Sequence, residues 1–498
     1  MNLFKLLAAR TGVLDELDKI GALPSRRALL FGSSVLGTLW ASKGRADPPP
    51  PVLNWMVQRL TMGFTGEELA LAQAAGTAQD YLEYHLAYTA IDDSTLDQRL
   101  QSYPTLFMQP YELIPVSPAH IISELTEATI LRSVLSKRQL FERMVEFWTD
   151  HFNIDINNGN ARWLKTIDDR DVIRAHALDT FPALLSASAH SPAMLYYLDN
   201  ASSVAGNPNE NYARELMELH TLSVNGGYTQ QDVIEVARCF TGWTVYPTNW
   251  PVETLRWTFR YNGAVHDNGA KVVLGHDIPA GGGINDGLMV LDILANHPST
   301  AQFISKKLCK RFWSYDPPQS LIDDVAATYT ATGGDIKEML RTLFANPDPA
   351  TVPPKYKRPY HLLVSGLRGA AADIVTTTGL RTQLAAAGQI PFSWGPPDGY
   401  PDTLSAWVGL ILPRWNFGAA LMNNNVSGTS VDINAFLAGV PNTAQGVADQ
   451  IDTALFGGQM PPADKDRIRD YMLPDPPTTA RKREALGLAI GSPGYQWY

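Results

Sequence analysis

The chain has 498 residues, of which 45% are hydrophobic and 18% charged, a composition typical of globular proteins that excludes the disordered and fibrous classes. The formal net charge of −10 at pH 7 favours a neutral or cationic partner. No nucleic-acid partner is expected, because such binding depends on Lys and Arg side chains that neutralise phosphates. The only two cysteines, Cys239 and Cys309, exclude a disulfide framework; we expect two buried thiols, with one bridge as the alternative.

The first 46 residues have the layout of a twin-arginine signal peptide. Residues 25–27 (Ser-Arg-Arg) precede an apolar stretch at 28–40, and residues 44–46 (Gly-Arg-Ala) provide a cleavage site. The apolar stretch is too short and too weakly apolar for a permanent membrane anchor. We therefore expect a periplasmic or secreted protein, exported in the folded state by the twin-arginine translocase. An amphipathic N-terminal helix is the alternative.

Residues 47–245 are predicted to form an N-terminal helical region. Apolar residues recur there at intervals of three and four, which is the pattern of helices with one buried face. Segments rich in Asn and Gly, such as residues 157–160 and 225–227, are expected to be turns between helices. The segments with helical periodicity are 65–90, 118–152, 169–187, 211–224 and 229–240.

A β-hairpin insertion is predicted within residues 246–285. Residues 255–261 alternate apolar and polar side chains, and residues 271–275 follow the turn sequence at 267–269 (Asp-Asn-Gly). Alternation on both sides of a turn is the signal of a hairpin, which we expect around residues 255–275.

Helical periodicity returns in residues 286–498, the C-terminal helical region, and a loop rich in Pro and Gly at 388–401 interrupts it. A long loop with helices on both sides is more often a functional or capping loop than a domain linker. The predicted fold class is therefore mainly α, a large multi-helix globular body with a small β-hairpin insertion.

Two glutamates are predicted to share one helix face. Asn211, Glu215 and Glu218 align by the three-and-four rule, and Arg214 lies four residues before Glu218. Because neighbouring carboxylates repel strongly when buried, we expect one of them to be protonated, paired with Arg214 or Arg174, or bound to a cation. Glu215 and Glu218 are therefore candidate catalytic residues. The alternative is a structural network in which Arg174, Asn211 and Arg214 hold the two glutamates.

Histidine and carboxylate side chains are the usual ligands of first-row divalent metal ions. The candidate ligands are His151, His220, His266, Asp267 and Glu215, and His151 is also a candidate catalytic residue. A divalent metal ion of unknown identity would activate a water molecule by lowering its pKa. Since no two of these residues have a diagnostic ligand spacing, the alternative for each histidine is a hydrogen-bonded core or capping residue.

Three aromatic residues, Trp394, Tyr400 and Trp407, lie in or beside the loop at 388–401. They are candidates for stacking against a carbohydrate substrate. The alternative is core packing, which accounts for most aromatic side chains in a chain of this size.

Several motifs resemble those of a known family. They are residues 147–152 (FWTDHF), residues 209–243 (NENYARELMELHTLSVNGGYTQQDVIEVARCFTGW), His266-Asp267, and residues 396–401 (PPDGYP). In these motifs the chain resembles the bacterial family called domain of unknown function 1800, and the likeness covers most of the chain after the signal peptide. The sequence departs from the family pattern at Asp150, where Asn is usual, and at Ser223, where Gly is usual.

The resemblance implies an exported protein without a settled activity. Family members are often encoded beside a second exported family that resembles sulfatases and alkaline phosphatases, which implies a co-exported partner of that kind. Three functions are compatible with the sequence: a metal-assisted hydrolase acting on an extracellular glycan or similar polymer, a non-catalytic partner or escort of the sulfatase- or phosphatase-like protein, and a cofactor-bearing periplasmic oxidoreductase.

Overall fold

The structure, a computed structural model, describes residues 51–498. The predicted signal peptide, residues 1–46, lies outside the described residues. None of the helices within residues 51–498 combines the length and the apolar character needed to cross a bilayer.

Helices form most of the described chain, and residues 52–239 contain the first twelve α-helices. Most of these helices bury one apolar face, which is the physical reason for the periodicity of the sequence. They are α1 (Val52–Leu60), α2 (Gly66–Ala75), α3 (Ala78–Leu86), α4 (Ser94–Leu100), α5 (Pro110–Leu113), α6 (Pro118–Leu135), α7 (Gln139–His151), α8 (Ala161–Asp168), α9 (Phe181–Ala189), α10 (Pro192–Tyr197), α11 (Glu210–Glu215) and α12 (Gln230–Cys239).

Capping residues divide the long periodic segments into separate helices. In the segment 65–90 the break falls at Gly76, which has a φ of 85°, and at Thr77, whose side chain accepts a hydrogen bond from the backbone N–H of Asp80. A glycine with positive φ followed by an N-cap threonine ends one helix and begins the next. The segment 118–152 is divided into α6 and α7 at Ser136, which leaves the helical conformation with a ψ of 138°.

Two turns of π-helix extend neighbouring α-helices. Asp169–Arg174 follows α8, and Leu216–Thr221 follows α11. After the second, the backbone N–H of Leu222 donates to the carbonyl oxygen of Met217 at 2.8 Å. Such wide turns are frequent at functional sites, and His220, one of the predicted metal ligands, lies in this one.

The predicted hairpin is two hairpins with different strand pairing. β-Structure around residues 255–275 is confirmed, but the pairing of 255–261 with 271–275 is wrong. Residues 271–273 instead pair across the two-residue turn Leu274-Gly275, where both residues have positive φ, as a tight hairpin turn requires. The antiparallel pairs are β1 (Trp243–Val245) with β2 (Phe259–Tyr261), and β3 (Lys271–Val273) with β4 (His276–Ile278).

Twelve further α-helices follow the hairpins, and the predicted mainly α fold is confirmed. They are α13 (Ile284–Ala295), α14 (Pro298–Phe312), α15 (Gln319–Thr332), α16 (Ile336–Leu343), α17 (Pro359–Gly369), α18 (Thr378–Ala386), α19 (Leu404–Trp407), α20 (Ile411–Met422), α21 (Ile433–Phe436), α22 (Ala444–Phe456), α23 (Pro462–Met472) and α24 (Thr479–Gly491). A third strand pair, β5 (Asp373–Ile374) with β6 (Thr429–Ser430), lies among them and has no counterpart in the sequence predictions.

Two large apolar cores organise the described residues. The first joins most of the N-terminal helices to α13–α16 and contains Trp148 of α7 and Leu308 of α14. The second gathers α4, α6 and most of the remaining C-terminal helices and contains Leu363 of α17. Cys239 and Cys309 are both buried and free, as expected. Helices α7 and α14 therefore share one core, and α17 lies in the other.

Candidate functional site

A cavity of about 700 Å³ lies where α7, α14 and the proline-rich loop at 388–401 meet. This volume is within the range of about 300–1,000 Å³ that is typical of small-molecule sites. Eight charged side chains line the cavity, five Lys or Arg and three Asp. They are Lys306, Lys307, Lys310, Arg311, Arg358, Asp150, Asp398 and Asp402.

One face of α14 forms a long side of the cavity. The helix begins at Pro298, and the side chain of the preceding His297 accepts a hydrogen bond from the backbone N–H of Ser299 at 3.1 Å. The opposite face buries Ile304 and Leu308 in the first core. Residues four apart lie on one helix face. The two rows that line the cavity are residues 298, 302, 306 and 310 and residues 299, 303, 307 and 311.

His151 connects α7 to α14 and to the π-helix Leu216–Thr221. Lys307 Nζ donates to His151 Nδ1 at 2.7 Å, and His151 Nε2 lies 3.1 Å from the backbone carbonyl oxygen of His220. Because a carbonyl oxygen can only accept, Nε2 carries the proton and Nδ1 accepts from the lysine. This chain of hydrogen bonds sets the tautomer of His151 and holds the Lys307 amine at the cavity wall.

Burial shifts the pKa values of these three side chains. Desolvation lowers the pKa of Lys307 to about 8, although nearby carboxylates, Asp150 first among them, oppose the shift. Desolvation and the charge of Lys307 hold the pKa of His151 well below its usual range and lower the pKa of His220 to about 3. Both histidines are therefore neutral at pH 7, and Lys307 is a stronger acid than an ordinary lysine.

Two arginines and two carboxylates form an ion-pair network in the cavity wall. Glu146 accepts from both Arg311 and Arg358, and Arg358 also donates to Asp150 at 2.6 Å. Burial opposes the ionisation of Glu146, but the two arginines outweigh it and hold the pKa of that carboxyl below its usual value. Burial raises the pKa of Asp150. The charges of both arginines are thus matched within the protein.

Close contacts with the end of α7 hold the proline-rich loop in place. The side-chain amide of Asn153 donates to the carbonyl oxygens of Trp394 and Pro396 at 2.9 and 2.7 Å. Gly399 has a φ of 73°, and a Cβ atom there would lie 2.0 Å from the carbonyl oxygen of Asp150. Only glycine fits this position, so the loop forms a closely packed wall of the cavity.

Of the three predicted stacking residues, Tyr400 alone lines the cavity. The ring centroids of Trp394 and Tyr400 lie 5.1 Å apart, and those of Tyr400 and Trp407 lie 6.1 Å apart. The indole N–H of Trp407, a buried residue, donates to the carbonyl oxygen of Pro401 at 2.7 Å, and that of Trp394 donates to Asp398 at 2.8 Å. Trp394 and Trp407 therefore contribute to the packing of the loop itself.

The predicted catalytic glutamates, Glu215 and Glu218, are not part of the cavity wall. Both side chains are half-buried, and the Tyr228 hydroxyl donates to Glu218 at 3.3 Å. Desolvation and the charge of Glu218 raise the pKa of Glu215, and the cavity residue Asp398 adds to the shift. The expected repulsion between the two carboxylates is therefore present, but it acts beside the cavity.

Arg174 and Arg214, the predicted partners of these glutamates, form ion pairs with other carboxylates, although the charge of Arg214 opposes the rise in the pKa of Glu215. Arg174 pairs with Glu142 of α7 at 2.5 Å, and Arg214 pairs with Glu210 at 3.0 Å. Asn211 is exposed. The carboxylate that pairs with Arg214 lies one turn back on the same helix, and the one that pairs with Arg174 lies on α7.

Among the predicted metal ligands, His151 and His220 lie side by side, with ring centroids 6.1 Å apart. His266 Nε2 lies within hydrogen-bond distance of Asp286, at 3.2 Å, and Asp267 forms an ion pair with Arg238 at 2.8 Å. Neither His266 nor Asp267 lines the cavity. Within residues 51–498, no group of three or more His, Cys, Asp or Glu side chains is arranged so that it could hold a metal ion.

The sequence predictions missed the basic residues of the site. A signal was present, because Lys306, Lys307, Lys310 and Arg311 fall within six consecutive positions at helical spacing. Basic side chains on a helix usually face solvent, so spacing alone does not separate a cavity wall from an exposed face. Arg358 lies outside α14 and has no local relation to these residues.

The chain matches the family described as "Protein of unknown function (DUF1800)" over residues 55–497. No curated protein and no solved structure matches it. The matched segment contains α7, α14 and the proline-rich loop, and therefore the whole cavity wall. Because the match covers nearly all of the chain, this protein belongs to that family.

Proposed function

We propose that this protein is an exported hydrolase in which Lys307 donates a proton to the leaving group of a substrate bound in the cavity. The observation that carries this proposal is the 2.7 Å hydrogen bond from Lys307 Nζ to His151 Nδ1 at the wall of a 700 Å³ cavity. A buried histidine hydrogen-bonded to a half-buried lysine at a cavity wall is an arrangement that supports acid–base chemistry.

The lysine has the properties of a proton donor near neutral pH. Its lowered pKa of about 8 keeps it mostly protonated at pH 7 while making it a stronger acid than a solvent-exposed lysine, which is the compromise that acid catalysis favours. His151 accepts one N–H of the ammonium group. Among the described residues, the other two N–H groups have no acceptor, which leaves them available to a ligand in the cavity.

The shape of the cavity suits a sugar-sized group. Phe303 and Tyr400 supply aromatic surface, and Ser299 and Gln302 supply hydrogen-bonding groups beside the lysines. An extracellular glycan or a similar polymer, entering by its end, would present such a group. Hydrolysis needs no second substrate other than water, which suits an enzyme that works outside the cytoplasm.

The test is an activity screen of the purified chain from residue 47 onwards, on panels of glycans and esters. On any substrate that is turned over, we expect Lys307→Met to reduce kcat by about 10²- to 10⁴-fold, the usual contribution of a general acid. Lys137→Met is the matched control, because Lys137 is exposed and outside the cavity wall. Unfolding midpoints of both variants would establish that they are folded.

Full activity in a folded Lys307→Met variant would overturn the proposal. The escort and oxidoreductase alternatives, and the predicted divalent metal ion, stay predictions. For the protein exported by its native host, metal analysis would test the divalent metal ion, and an absorption spectrum would test the cofactor of an oxidoreductase. Co-purification with the sulfatase- or phosphatase-like protein would test the escort role.

A further inference from the structure

We propose that the cavity binds a tetrahedral oxyanion group of the substrate, a sulfate or phosphate ester, between the side chains of Lys306, Lys307 and Lys310. The inference rests on the proposed function because it concerns the same cavity, and it names the chemical class of the substrate. It differs from the expectation of a neutral or cationic partner, which came from the net charge of the whole chain.

The first argument is the balance of paired and unpaired charges in the cavity wall. The two arginines of the wall are neutralised by Glu146 and Asp150, and Asp402 is neutralised by the buried Lys355 at 2.8 Å. Among the described residues, the three lysines of α14 have no carboxylate within ion-pair distance. Asp398 is the remaining acid of the wall, and it is exposed and accepts from Trp394. The wall therefore has an excess of positive charge.

The second argument is the placement of the lysines. Lys306 and Lys310 are one helical turn apart in the same row, and Lys307 lies in the adjacent row. All three side chains line one cavity, so their ammonium groups can approach a single ligand. A sulfate or phosphate ester has three terminal oxygens that accept charge-assisted hydrogen bonds.

The third argument is the electrostatic repulsion among the three lysines when no ligand is bound. The protein as a whole is acidic, with a net charge of −10, yet three cations lie together at one cavity, where like charges destabilise each other. The charge of Lys310 contributes to lowering the pKa of Lys307, but desolvation is the main cause, and the carboxylates of Asp150, Asp398 and Asp402 act in the opposite direction. A bound oxyanion would remove this repulsion.

Binding of an oxyanion should therefore be coupled to protonation of Lys307. The charged groups that act on its ammonium are Asp150, Asp398, Asp402 and Lys310, and the two buried histidines are neutral at and above pH 7. As pH rises through about 8, Lys307 loses its proton in the free protein. Since an anion favours the charged form, binding raises the pKa of Lys307, takes up protons near pH 8, and weakens at higher pH.

Isothermal titration calorimetry with sodium sulfate at constant ionic strength tests this inference. Sulfate is chosen because its charge does not change between pH 6 and pH 9, so any pH dependence comes from the protein. Titrations in two buffers of different ionisation enthalpy measure the proton uptake. We expect saturable binding, weakening by up to about tenfold per pH unit above pH 8, with uptake of a fraction of a proton at pH 8.

Variants test whether sulfate binding and proton uptake depend on the lysines. Lys310→Met should weaken sulfate binding by about fivefold or more, and Lys307→Met should remove the proton uptake as well as weaken binding. Lys137→Met should bind as the wild type does. Absence of saturable binding, or binding and proton uptake that are the same in Lys307→Met and the wild type, would overturn the inference.

Further experiments identify the source of the oxyanion and distinguish a failure of this inference from a failure of the proposed function. Stronger binding of 4-nitrophenyl sulfate or of 4-nitrophenyl phosphate would distinguish the two esters, whereas acetate binding as tightly as sulfate would contradict a tetrahedral group. Sulfate binding with proton uptake but without hydrolysis of any substrate would contradict the hydrolase and support the oxyanion site. Hydrolysis of neutral substrates that depends on Lys307, without sulfate binding, would support the hydrolase and contradict the oxyanion site.

Discussion

The rings of His151 and His220 lie 6.1 Å apart, and both side chains are buried. His151 uses both ring nitrogens in hydrogen bonds, whereas the His220 ring has no hydrogen-bond partner among the described residues. Two neutral imidazoles beside the cation of Lys307 make this part of the fold sensitive to acid.

We predict that the protein loses stability as pH falls below about 6.5. The unfolded chain protonates its histidines near that pH, whereas the pKa of His220 in the folded state is about 3 and that of His151 is also depressed. The unfolded state therefore binds more protons between these values, and each histidine costs about 1.4 kcal/mol of stability per pH unit. Urea unfolding at several pH values measures the slope.

The variant His220→Phe isolates one of these histidines. It keeps an aromatic ring beside Phe152, whose centroid lies 5.0 Å away, and it breaks no side-chain hydrogen bond within the described residues. We expect the loss of stability on acidification to decrease by the equivalent of about one proton. An unchanged slope would show that His220 is not the source of the acid sensitivity.

A glycine pair tests the close packing of the proline-rich loop. In Gly399→Ala the new methyl group would meet the backbone of Asp150, where a Cβ would lie 2.0 Å from the carbonyl oxygen, and the φ of 73° adds strain. Because the clash is with backbone, we expect a loss of about 2 kcal/mol or more. Gly395→Ala is the matched control, since nothing lies within 4 Å of a Cβ there. Chemical denaturation of both variants measures the difference, and equal stability would contradict the packing described here.

Glu146 is predicted to be essential for stability. In Glu146→Gln, Arg311 and Arg358 lose the carboxylate that they share, and breaking a buried ion pair on one side typically costs about 3–5 kcal/mol. The control is Glu338→Gln, which removes a more exposed partner of Arg341 and should cost less than about 1 kcal/mol. Thermal unfolding of the two variants compares their losses of stability. Equal losses would contradict the prediction.

The pH dependence of kcat/KM should report the deprotonation of Lys307. If Lys307 donates the proton, kcat/KM falls as pH rises through about 8, because the neutral amine has no proton of suitable acidity. In Lys307→Arg the guanidinium stays protonated, so the descending limb should move to higher pH and the rate should be lower. A profile that is flat from pH 7 to pH 10 in the wild type would exclude Lys307 as the acid.

Much of the fold could be predicted from the sequence because helix formation is mainly local. The periodicity of segments such as 229–240 reports one buried face, and Thr229, the first residue of that segment, caps α12. The predicted strand pairing was wrong for residues 271–275 because several short strands were available as partners. Which of them pair depends on a two-residue turn with positive φ and on contacts outside the strands.

The sequence by itself determined the helical class and the family, since both follow from patterns along the chain. Tertiary structure alone decided the site. Lys307 and His151 are 156 positions apart, and Glu146 and Arg358 are 212 apart. Helical periodicity relates residues three and four positions apart and has no information about such pairs. Whether a lysine faces water or a desolvated cavity, and so whether its pKa changes, depends on which helices pack against it.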